Sequence, residues 1–103
     1  MKTIDELIAH YGIQHVFIES GKLATESKCK EIDIDISCAK HYWCELSWSN
    51  AQFDCAFNSF GDSIKESFNE CLNRFKQRVR NNELAYIRAA KFYNIYEEII
   101  NEN

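Results

Sequence analysis

The stretch Glu31-Ile32-Asp33-Ile34-Asp35-Ile36-Ser37-Cys38 alternates polar and apolar residues without a break. An extended chain sends successive side chains to opposite faces, so this order suits a strand that is buried on one side and wet on the other. The alternation resumes over Tyr42 to Trp48, with Cys44, Leu46 and Trp48 in one phase, and again over Gln52 to Asn58, with Phe53, Cys55 and Phe57. Parallel strands need crossovers of about a dozen residues or more, and the connections here are far shorter, so the three segments are expected to form an antiparallel meander. His15-Val16-Phe17-Ile18-Glu19, closed by Ser20-Gly21, adds a further strand by its β-branched and aromatic content. Residues 22–30 are polar and aperiodic and read as a loop, with room for a short strand at Leu23 to Thr25.

Helices flank this core. Thr3-Ile4-Asp5-Glu6 is a capping box, Ile4, Leu7, Ile8 and Tyr11 follow at helical spacing, and Gly12 is placed to end the helix. Ser63-Ile64-Lys65-Glu66 repeats the capping pattern ahead of one apolar stripe, Ile64, Phe68, Cys71, Leu72, Phe75 and Val79, which is expected to lie on the sheet. After Asn81-Asn82, a last helix is expected from about Glu83 to Asn101. Its seam of Tyr86, Ala89, Tyr93, Tyr96 and Ile100, flanked by Phe92 and Ile99, faces a different side from Leu84, Ile87 and Ile95. One side packs on the domain; the tyrosines Tyr86, Tyr93 and Tyr96 are a second candidate contact surface, including for a homodimer through this helix. With 103 residues the chain supports one core, so the expectation is a single α+β domain over 1–103, in the order α-β-β-β-β-α-α, with a three- to four-stranded antiparallel sheet and helices on one face.

Five cysteines, an odd number with no Cys-x-x-Cys pair, do not make a secreted disulfide framework. No apolar run approaches the roughly 20 residues of a membrane span, and the opening residues carry acids where a signal peptide has its apolar core, so a cytoplasmic location is expected. Cys38, His41 and Cys44, with Cys29 or Cys55, have ligand chemistry for zinc, but Cys38, Cys44 and Cys55 fall in the inward phase of their strands and read as reduced core residues, with no metal and no cofactor. His10, His15 and His41 stand in no catalytic motif, Gly-rich phosphate loops are absent, and no catalytic residue is assigned.

Charge is segregated along the chain. The first 61 residues hold nine carboxylates against five lysines, whereas residues 62–80 hold five basic and three acidic groups. In the alternating strands the polar phase carries Asp33, Asp35, Trp43, Glu45 and Asp54, a spread acidic face with one large aromatic. Alternate strand positions lie about 7 Å apart, too far to converge on one cation at about 2 to 2.6 Å, so a basic protein surface is the expected partner. The basic run Arg74, Lys76, Arg78 and Arg80 favours a nucleic-acid-binding module instead, and the layout of helix, three strands and helix resembles that of double-stranded-RNA-binding domains. Those domains grip phosphate with lysines at the start of the second helix, where this chain has Gly61-Asp62-Ser63-Ile64-Lys65-Glu66. The expectation is therefore a small acidic, non-catalytic interaction domain. It resembles, by analogy of type alone, phage anti-defence and anti-CRISPR inhibitors that occupy the basic surface of a nucleic-acid-handling protein. The nucleic-acid-binding module is the alternative, and a metal-dependent enzyme the third.

Overall fold

A computed structural model describes residues 2–50 and 52–102. Helix α1 (Ile4–Tyr11) begins at the expected capping box, in which the Glu6 amide donates to Thr3 Oγ1 at 3.2 Å and the Thr3 amide to Glu6 Oε1 at 3.4 Å. It stops at Gly12, whose φ of 68° lies in the left-handed region. Strand β1 (His15–Ser20) follows, then helix α2 (Lys22–Glu31), strands β2 (Tyr42–Ser49) and β3 (Asp54–Gly61), and helices α3 (Ile64–Arg80), α4 (Leu84–Phe92) and α5 (Tyr96–Asn101). The strands form one antiparallel sheet in the order β1-β2-β3, a meander, with Ile18 opposite Cys44 and Leu46 opposite Phe57. Among the described residues the fold is α+β with three strands and five α-helices.

One face of the sheet carries the main core. Cys44, Leu46 and Trp48 of β2 and Cys55 and Phe57 of β3 meet Phe68, Cys71, Leu72, Phe75 and Val79 of α3, all buried as their periodicity requires. The Trp48 ring stacks on Phe75 with centroids 4.1 Å apart, and its Nε1 donates to the Tyr11 carbonyl at 2.8 Å, so the indole is both packed and hydrogen-bonded. His10 of α1 reaches Glu98 of α5 at 2.8 Å, closing the chain ends around this core.

Four expectations are corrected. The polar residues 22–31 are helical, because Thr25 and Cys29, four apart, bury one narrow stripe, flanked by half-buried Ala24, Glu26 and Lys28, while the others face water. This helix also crosses the opposite face of the sheet: Lys28 Nζ lies 5.4 Å from the Phe17 ring centroid and 5.9 Å from that of Trp43, so helices are not confined to one face. The alternating stretch 31–38 forms no strand. Asp33 turns into the left-handed region at φ 57°, and Asp35 accepts from the Ser37 amide at 2.9 Å to cap a 3-10 turn over Ile36–Cys38. Local Asp chemistry thus overrides an alternation that has no ladder to join. The expected long C-terminal helix is broken at Tyr93 to Ile95, where Asn94 has φ 58°. The break lets Ala89, Ala90, Ile95 and Ile99 all turn inward.

Candidate functional site

The expected acidic face is dispersed by these corrections. Asp33 and Asp35 project from the exposed loop after α2. Glu45 does lie on the open sheet face, opposite Phe17 and Asn58, where it accepts from Trp43 Nε1 at 3.0 Å. Asp54 is exposed at the far end of β3, six residues from Phe60 and so roughly 20 Å away. Trp43 shares the outward phase but is only 1% exposed: α2 covers it, and Phe60 packs against it with centroids 4.7 Å apart. It is therefore the centre of a second, smaller apolar cluster rather than a contact residue.

The tyrosine surface is likewise absorbed. Tyr86 packs on Phe57 and Phe75, Tyr93 accepts from Gln14 Nε2 at 2.7 Å and packs on Phe53, and Tyr96 is half-buried beside the core. The basic run is divided by helical geometry. Lys76 and Arg80 bind the Glu102 carboxylate at 3.0 and 2.9 Å, and Arg78 binds Glu83 at 2.9 Å. Arg74 alone of the four projects elsewhere, into the groove described next.

The cysteines do not converge. Cys44, Cys55 and Cys71 lie in the main core, with Cys71 Sγ donating to the Cys44 carbonyl at 3.2 Å. That hydrogen-bonded pairing with Cys44, together with burial, pushes the Cys71 thiol up, and burial followed by the charge of Asp54 pushes Cys55 up to about 11. Cys29 is buried under α2, while Cys38, expected inside, is exposed at the end of the 3-10 turn. Among the described residues no three His, Cys, Asp or Glu side chains gather as metal ligands, and no helix is long and apolar enough to cross a membrane.

What the fold does assemble is a groove of about 520 Å³ at the free side of β3. Asn58, Ser59 and Phe60 all line it. Successive strand side chains point to opposite faces, so three in a row share one cavity only when the cavity runs along the strand's edge. The loop after α2 supplies one wall through Ile32 and Ile34, which with Trp43 and Phe60 give it an apolar lining; α3 supplies the other through Glu66, Glu70 and Arg74. Lys40 crosses to Glu66 at 3.2 Å, and its hydrogen bond and attraction to Glu66, reinforced by Asp62 and Glu70, hold its pKa above the usual lysine range. The helical wall thus sets Glu66 and Glu70 against Lys40 and Arg74, with Lys40 seated on Glu66. None of Ile32, Ile34, Glu66, Glu70 or Ser59 was singled out by the sequence as a site, because the groove depends on residues 31–38 not being a strand. No family model matches the chain, and comparisons with curated proteins and with solved structures find no match.

Proposed function

We propose that this chain is a non-catalytic protein-binding domain whose partner presents a basic surface, of the kind found on nucleic-acid-handling complexes, and that it acts as phage anti-defence and anti-CRISPR inhibitors do, by occupying that surface. The observation that carries the reading is the segment Glu31 to Cys38, in which every residue is exposed. Ile32, Ile34 and Ile36 are 36, 40 and 51% exposed, with Asp33 and Asp35 between them, beside the groove at β3. Apolar residues interleaved with carboxylates and held off the core combine desolvation energy with charge steering, the two components of specific association. Glu45 extends the acidic surface onto the open sheet. Direct nucleic-acid binding through Arg74 to Arg80 is the weaker alternative, since three of its four cations are already paired to carboxylates of this chain.

The test is cross-linking of the full chain in extract of its natural host, with Asp33→Lys/Asp35→Lys as the control. A basic protein recovered by the native chain and lost in the folded double variant supports the reading. Recovery of nucleic acid instead, with affinity falling as salt rises and on Arg74→Ala, would replace it.

A further inference from the structure

We infer that the groove along β3 takes an extended peptide segment of the partner as a fourth strand, one whose side chains alternate apolar and basic. This deepens the reading of a basic protein partner and rests on it. β3 is an edge strand, and among the described residues its only backbone pairing is the ladder with β2. Its far side therefore offers a row of amide and carbonyl groups outside the ladder, of which the Phe60 carbonyl accepts only from its neighbour Ser59 Oγ at 3.3 Å, a template for another strand. Most such edges are open to water from both sides. This one is recessed between the loop carrying Ile32 and Ile34 and the helix carrying Glu66, Glu70 and Arg74.

The two walls select the occupant. A strand seated at the usual spacing of about 4.8 Å from β3 sends alternate side chains to opposite faces. One set meets Ile34 and Phe60, with Trp43 buried behind them; the other meets α3 at Glu66, Glu70 and Arg74, where Glu66 already holds Lys40 and Glu70, among the described residues, makes no hydrogen bond or ion pair within 4 Å. The first set is thus apolar and the second basic, with charge complementarity at Glu70 and main-chain hydrogen bonds giving affinity. A second copy of the chain is a poor occupant, since its β3, Asp54 to Gly61, carries no basic residue to meet Glu70. The segment 31–38 has the alternation of a strand but sends carboxylates where Glu70 requires a cation.

The experiment is a titration of the full chain with a blocked peptide of alternating valine and lysine, read through backbone amide resonances. The amides of Asn58, Ser59 and Phe60 are expected to shift, and binding is expected to be lost when the peptide nitrogens facing β3 are methylated. Glu70→Lys, at an exposed helix position, is expected to weaken the lysine peptide about tenfold and to favour its valine-glutamate counterpart. Absence of binding by the lysine peptide overturns strand addition. Shifts confined to residues 31–36 and Glu45, insensitive to N-methylation, also overturn it while leaving the basic-partner reading standing. A new ladder between β3 and residues 31–38, or a dimer joined through β3, would assign the edge to this chain itself and refute the inference.

Discussion

Replacing Gly12 by alanine tests whether the tyrosine-rich C-terminal region belongs to the core. Gly12 sits at φ 68°, and a left-handed conformation costs an L-residue with a Cβ roughly 1 to 2 kcal/mol. A Cβ there would lie 2.3, 2.5 and 2.8 Å from three atoms of the Tyr93 ring, against an ordinary carbon contact of about 3.5 to 4.0 Å. The ring must therefore retreat by more than about 1 Å. Retreat strains its 2.7 Å hydrogen bond from Gln14, worth about 1 kcal/mol net, and its edge contact with Phe53, worth about 0.5 to 1.5 kcal/mol. The expected loss is about 3 kcal/mol, a large fraction of the stability of a domain this size. In a Tyr93→Ala background the collision vanishes and only the backbone strain remains, so the double variant should be more stable than additivity predicts by about 1 to 2 kcal/mol. Equilibrium urea denaturation followed by tryptophan fluorescence measures both. A loss below about 1 kcal/mol for Gly12→Ala, or strict additivity, would refute the packing of Tyr93 against the first helix and return that ring to the solvent.

Phe68→Ala and Leu72→Ala, both at the buried centre of α3, should each cost on the order of 2 to 5 kcal/mol in the same assay. Under native conditions a soluble alkylating reagent should modify Cys38 first and leave Cys29, Cys44, Cys55 and Cys71 protected until the protein unfolds, which mass spectrometry reads directly. The Asp35 carboxyl, lowered below its ordinary value of 3.8 first by the backbone hydrogen bond from Ser37, favours the 3-10 turn while ionised. Because its folded pKa is the lower one, that contribution is present above the ordinary pKa and is lost as pH falls through the depressed value. A pH titration of the Ser37 amide resonance should follow it, and a midpoint at or above 3.8 would contradict the cap.

The sequence was legible where pattern and packing agree. The strands at Tyr42 to Ser49 and Asp54 to Gly61, and the helix behind Ser63 from Phe68 to Val79, bury the faces their periodicity marks, and β1 forms where its β-branched and aromatic content places it. It misled where local hydrogen bonding or a single backbone angle decided the outcome. Asp33 and Asp35 turn a flawless alternation into an exposed loop, and Asn94 divides one helix into two. Helix α2 was invisible because two buried residues, Thr25 and Cys29, carry too little apolar signal to register as a stripe. Charge counts do not locate charge: the carboxylates that pair Arg78 and Arg80 are Glu83 and Glu102, which no spacing in the sequence singles out.

The exposed run Glu31 to Cys38 also bears on the colloidal behaviour of the protein. Isoleucines at every second position, without proline, are the composition of a segment that stacks into cross-β, and here that segment lies beside a strand edge with no strand partner among the described residues. The carboxylates of Glu31, Asp33 and Asp35 act as gatekeepers, because stacking the run in register would pile like charges on one another. Replacing the three carboxylates by their neutral amides removes that repulsion while the isoleucines remain. The domain should then form thioflavin-positive aggregates.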